Sequence, residues 1–94
     1  MTQAEREQLR ISLLGFLSAN ASGRFGMPLR FLTQQARAEG RPRLTEAEVE
    51  AELIYLEDPD KRLVAQTFKS ISPDIRAWRI TAAGRDYLAA LTGE

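Results

Sequence analysis

The chain has no cysteine and no histidine. The first absence excludes disulfides, thiolate zinc sites and cysteine nucleophiles. The second removes the commonest metal ligand and the commonest general base. Among the residue types that remain there is no GxSxG elbow, no glycine-rich phosphate loop and no SxxK pair, so the sequence reads as a non-enzyme without metal or cofactor. Glu46, Glu50 and Glu57 fall within ~40° of one another around a helix. Carboxylates along one exposed flank are ordinarily solvated, and a metal needs ligands converging from other elements. Long apolar runs are also missing: nothing approaches the ~20 residues that span a bilayer, and the polar start MTQAEREQLR is unlike a signal peptide. The expectation is a cytoplasmic protein with no membrane partner.

What is present fits a single domain over residues 1–94. A chain of this length buries roughly 60–65% of the surface its unfolded form exposes, enough for one modest core. The formal net charge of zero conceals a blocked distribution. Glu5, Arg6, Glu7 and Arg10 cancel near the start. Arg24, Arg30, Arg37, Arg41 and Arg43 face Glu39 alone, leaving residues 24–43 at +4. Glu46, Glu48, Glu50, Glu52, Glu57, Asp58 and Asp60 bring residues 44–60 to −7, and residues 61–94 return +3. The plain reading of each block is a solvated face that keeps the domain soluble.

Periodicity then sets out the elements. A first helix runs from about Thr2 to Ala19, with Leu9, Leu13, Phe16 and Leu17 on one stripe. Ile11 and Leu14 lie on the other side and form a second apolar face that needs a cover, supplied either by another part of the chain, such as the last helix with Tyr87, Leu88 and Leu91, or by a partner. Asn20-Ala-Ser-Gly23 breaks the helix. Phe25-Gly-Met27 supplies a stub of strand before Pro28, which suits the first turn of a second helix. That helix, from about Pro28 to Glu39, buries Leu29, Leu32 and Ala36, with Phe31 a further candidate, and Gly40 stops it. Thr45 with Glu48 three residues on is a capping box that opens a third helix. Val49, Leu53 and Leu56 are its inward stripe, and Asp58-Pro59-Asp60 ends it. LVAQTFK at 63–69 and IRAWRI at 75–80 read as two strands joined by the turn SISPD. Trp78 and Ile80 share the inner face while Arg79 points away. A last helix from Thr81 to Leu91 is capped by Thr81 and carries Tyr87, Leu88 and Leu91 on its apolar side.

Helix, stub strand, two helices, β-hairpin and final helix is the order of an α+β winged helix-turn-helix. Val49 to Ile80 resembles the MarR and PadR-like winged-helix regulators. In those proteins a third helix of pattern V-x-x-x-L-x-x-L-E runs into a turn and a strand beginning L-V. Here these are Val49, Leu53, Leu56 and Glu57, then Leu63 and Val64. Their hairpins commonly end in aromatic-R-L/I-T-x-x-G-x-x-Y/L, matched by Trp78, Arg79, Ile80, Thr81, Gly84 and Tyr87. Small phage-encoded winged-helix proteins are similar at this length. One departure stands out: the usual glycine before L-V is replaced by Pro59-Asp-Lys-Arg62.

The resemblance implies a DNA-binding-like protein, a transcriptional regulator whose partner is double-stranded DNA. In helix-turn-helix proteins the start of the motif's second helix meets base edges while other elements grip phosphate. Mapped here, Arg30, Arg37, Arg41 and Arg43 become the positioning groups, with Thr45 at the head of the helix. Lys69 and Arg76 flank the hairpin tip and would clasp an adjacent groove as a wing. The same residues also fit ordinary solubilising charge. Because the terminal helices of those regulators pack across a two-fold axis, the resemblance further implies a homodimer built on Ile11, Leu14, Tyr87, Leu88 and Leu91.

The third helix resists the DNA reading. It carries five glutamates and no positive charge. A carboxylate ~4 Å from a phosphate costs roughly 1 kcal/mol in bulk water and more when desolvated. Several such contacts would cancel much of the ~4–10 kcal/mol that separates specific from non-specific binding. One glutamate can accept from cytosine N4; five are hard to place. The outermost strip is Ala47, Ala51, Ile54 and Tyr55, flanked by Glu46, Glu50 and Glu57 on one side and Glu48 and Glu52 on the other. Such a strip suits another protein surface. The second expectation is therefore a winged-helix interaction or dimerisation module that binds a protein partner and no DNA. The strip reads equally as helix-favouring filler, with Ile54 or Tyr55 tucked under the hairpin.

Overall fold

The computed structural model describes residues 2–20, 26–67 and 77–93. Among them the chain is α+β, with four helices and one small antiparallel sheet. The elements are α1 (Gln3–Ala19), β1 (Met27–Pro28), α2 (Leu29–Ala38), α3 (Glu46–Glu57), β2 (Val64–Thr67), β3 (Ala77–Ile80) and α4 (Ala82–Thr92). Phe25, the turn at 70–74, Lys69 and Arg76 lie outside the described residues. No helix among those described is long and apolar enough to cross a membrane.

Local chemistry places the helix starts. Thr2 caps α1 by accepting from the Glu5 amide at 3.2 Å. At α3 the capping box is complete: Thr45 accepts from the Glu48 amide at 3.2 Å, and the Glu48 carboxylate accepts from the Thr45 amide at 3.1 Å. Thr81 caps α4 through the Gly84 amide at 3.0 Å. Each cap satisfies a donor that the helix itself leaves unpaired.

α1 runs through the middle of the core and packs against α2, α3, α4 and β3. With neighbours on several sides, it buries more than one stripe. Leu9, Leu13, Leu14 and Leu17 are all inside. Leu14 is thus covered by its own chain, which decides for the intrachain cover and corrects its place on a dimer face. Phe31 is corrected too: it is half exposed, while α2 buries Leu32, Thr33 and Ala36. The Thr33 hydroxyl donates to the Leu29 carbonyl at 2.8 Å, so its burial leaves that group bonded.

The sheet has the order β1-β3-β2. Met27 pairs with Trp78 and Pro28 with Ala77, while Val64 pairs with Ile80 and Gln66 with Trp78. The stub strand sits further along the chain than the sequence suggests, and it is an edge, where a proline is tolerated. Trp78 and Ile80 are buried and Arg79 between them is exposed, while Ala77 is buried as well. Gly26 carries the chain in at φ 72°, and a Cβ there would lie 2.6 Å from the Trp78 carbonyl oxygen. Only glycine fits both the angle and the approach.

Between α3 and β2 the backbone turns without a glycine. The Asp58 carbonyl accepts from the amides of Lys61 and Arg62, each at 2.8 Å, and its side chain accepts from the Asp60 amide at 2.9 Å. Arg62 takes φ 49°, a left-handed conformation that costs a non-glycine residue roughly 1–2 kcal/mol. Leu63 follows as a junction. Its amide donates to the Leu56 carbonyl at 2.9 Å, and its carbonyl accepts from the Thr81 amide at 3.1 Å. The Thr81 hydroxyl also donates to the Arg62 carbonyl. A Cβ at Gly84 would stand 2.1 Å from the Leu63 carbonyl oxygen, so α4 seats on this junction only because residue 84 has none.

Candidate functional site

Two of the four described arginines proposed to grip phosphate, Arg37 and Arg41, make contacts within the chain. Arg37 donates through Nε to the Leu44 carbonyl at 2.6 Å, tying the end of α2 to the approach to α3. Arg41 lies 4.0 Å from the Glu39 carboxylate and 3.5 Å from the Ser12 hydroxyl. Thr45 is committed to its cap. Arg30 and Arg43 are exposed. Arg41 and Arg43 border a cleft of about 710 Å³, but Glu5, Glu39 and Glu48 line it as well, so an anion entering it meets both signs of charge. Lys69 and Arg76 lie outside the described residues.

The glutamates of α3 divide by what they touch. Glu48 belongs to the capping box. Glu57 accepts from the Gln66 side-chain amide at 3.2 Å, joining the helix end to β2. Glu52, read from sequence as a solvated flank residue, is 3% exposed. Its two carboxylate oxygens are bonded separately, one by Arg6 Nε at 3.0 Å and the other by Arg10 Nε. A buried carboxylate is tolerable when both oxygens are paired and hydrogen-bonded, and α1 supplies both partners. Glu46, Ala47, Ala51 and Ile54 remain exposed on the outer side. Neither Ile54 nor Tyr55 is tucked away: they are 52% and 42% exposed.

Tyr55 leads to the second surface. The Arg10 guanidinium carbon lies 3.7 Å from the centroid of its ring, and Lys61 Nζ lies 4.2 Å from the same point. Both are cation–π distances. Tyr55, Arg10 and Lys61 line a groove of about 450 Å³ together with Glu7, Ile11, Leu56, Leu63, Tyr87 and Leu91. Ile11, Tyr87 and Leu91 were singled out for a dimer face and Tyr55 for a protein-facing strip on α3. The structure brings these four residues together between α1, the end of α3 and α4, while Ala47, Ala51 and Ile54 of the strip do not line the groove. Leu88 packs partly buried against the core, and Leu14 lies inside it.

Six large apolar side chains are exposed among the described residues, and four of them line this groove. Sequence reasoning missed its polar frame of Glu7, Arg10 and Lys61. Their spacing in the chain carries no sign of it, since α1 and the α3–β2 turn meet only in the folded state.

No protein-family model, curated protein or solved structure matches the chain.

Proposed function

We propose that this chain is a winged-helix-like module that acts through protein contact and self-associates through the groove between α1, the end of α3 and α4. The observation that carries this reading is the convergence of Ile11, Tyr55, Tyr87 and Leu91 on that groove. These four side chains are between 38% and 49% exposed, and a contiguous apolar patch on a protein surface often has a role. A stable interface needs about 800 Å² from each partner, so the contact extends beyond the groove, which forms its centre. The rim carries both signs, Glu7 and Lys61. A two-fold contact places the same patch on both sides, and Glu7 of one copy can then meet Lys61 of the other.

The test is the oligomeric state. Ile11→Glu combined with Leu91→Glu puts like charges at a self-complementary patch, repeated by symmetry. Light scattering should show a wild-type dimer and a monomeric variant with an unchanged far-ultraviolet circular dichroism spectrum. A wild type already monomeric at high micromolar concentration overturns the reading. Leu14 is unsuitable for this purpose, because a charge there would enter the core.

A second reading, a DNA-binding transcriptional regulator of the winged-helix type, draws on the layout. Helix, edge strand, two helices, paired strands and a final helix are compatible with a winged helix. Exposed Arg30 and Arg43 lie on the α2–α3 unit that such a fold presents to DNA. It ranks second because α3 offers Glu46 and an apolar strip on its outer side and has no cation. Anisotropy titration against random duplex at low and moderate salt separates the two readings. Binding through phosphate contacts would fall steeply as salt rises. Flat, millimolar affinity at low salt is the result expected here.

A further inference from the structure

The groove has an aromatic wall whose position is set from inside the protein. Tyr55 stands three residues after Glu52 on α3, so the two are neighbours on the helix surface. Arg10 reaches across from α1 and touches both. Its Nε donates to the Glu52 carboxylate, while its guanidinium carbon lies 3.7 Å from the Tyr55 ring centroid. A guanidinium is flat: its edge donates to a carboxylate while its face stacks on a ring. Fixing the edge therefore fixes the face. The Glu52 side chain is 4% exposed and that of Arg10 17%, against 52% for Arg6, so the link from carboxylate to ring lies mostly beneath the surface.

We infer that Glu52 is the positioning residue of the groove. It holds Arg10, Arg10 holds the Tyr55 ring as one wall, and docking meets a surface already in its bound shape. This rests on the groove being the docking site proposed above, and it adds the residue that controls the site without touching the partner. Preorganisation of this kind raises affinity by lowering the ordering cost of binding. It also accounts for arginine at position 10: a lysine would keep the charge facing Glu52 but would have no plane to lay against the ring.

Two measurements test the inference. The first is the NMR shift of the Arg10 side-chain Nε–H group, which the Tyr55 ring should displace from its ordinary position in the wild type. In Glu52→Gln that displacement should shrink, and Tyr55→Phe should retain it. The second is the dimer dissociation constant by sedimentation equilibrium. Glu52→Gln and Arg10→Lys should each raise it about tenfold with helix content unchanged, and Tyr55→Phe should leave it close to wild type. If Glu52→Gln fails to fold, the dissociation constant of Arg10→Lys carries the test, because a lysine keeps a charge facing Glu52 and lacks the planar face that stacks on the ring. A Glu52→Gln protein that keeps both the wild-type shift and the wild-type dissociation constant, or an Arg10→Lys protein that keeps the wild-type dissociation constant, overturns the inference. If the wild type proves monomeric, the docking reading fails. The Arg10 shift then decides alone whether Glu52 positions the ring.

Discussion

The two flanks of α3 carry the same residue type and use it in opposite ways. On the flank facing α1, Glu52 is buried and bonded at both oxygens by arginines. On the outer side, Glu46 is exposed beside Ala47 and Ala51. In the sequence these residues belong to one acidic run. In the fold, one ties two helices together and the other contributes solvated charge. A run of like charge is therefore not one feature. What each member does depends on which side of the helix it occupies and what is packed there.

Substitutions along α3 can sharpen or break this contrast. The largest effect belongs to the inward stripe, which sets the scale. Leu53→Ala removes a wholly buried side chain and should lower unfolding free energy by about 2–5 kcal/mol in a denaturant titration. Glu52→Ala comes next. It leaves Arg10 mostly buried without its carboxylate, and breaking a fully buried pair costs about 3–5 kcal/mol. Because Arg6 is half exposed and Arg10 can extend toward water, a loss of about 2–3 kcal/mol is expected. A loss below about 0.5 kcal/mol, the range of an ordinary surface change, would make the two flanks equivalent. Glu46→Gln is the smallest, with an expected change under about 0.5 kcal/mol by the same titration.

The parts of the fold that were legible in the sequence are those set by near neighbours. The Thr45 and Glu48 capping box spans three residues, and its pattern alone declares it. Trp78 and Ile80 inside with Arg79 outside follow from the strand period, and Val49, Leu53 and Leu56 from the helical one. What was not legible depends on distant partners. Glu52 finds its arginines 42 and 46 positions away, so nothing near it in the sequence marks it as buried. Leu14 was recognised as apolar and in need of cover, but periodicity does not say whether the cover is the same chain or another. The groove was legible only in halves. Ile11, Tyr87 and Leu91 were collected for one reason and Tyr55 for another, and only the packing of α1 against both α3 and α4 joins them. The missing glycine before Leu63 was visible as a departure, and the structure shows Arg62 itself taking the left-handed angle.

The Leu63 junction limits where this chain can change in length. Surface turns usually accept inserted residues, because their ends are free to shift and the closure cost rises slowly with length. The turn from Asp58 to Arg62 looks like such a place, being short, polar and exposed at its tip. Yet the peptide units that follow it are held on three sides, by Leu56, by Thr81 and by the close seat of Gly84. One residue added after Lys61 would have to be absorbed entirely before Leu63, or it would unseat α3, β2 and α4 together. An affinity tag or a reporter loop is therefore poorly placed in this turn, despite its exposed tip.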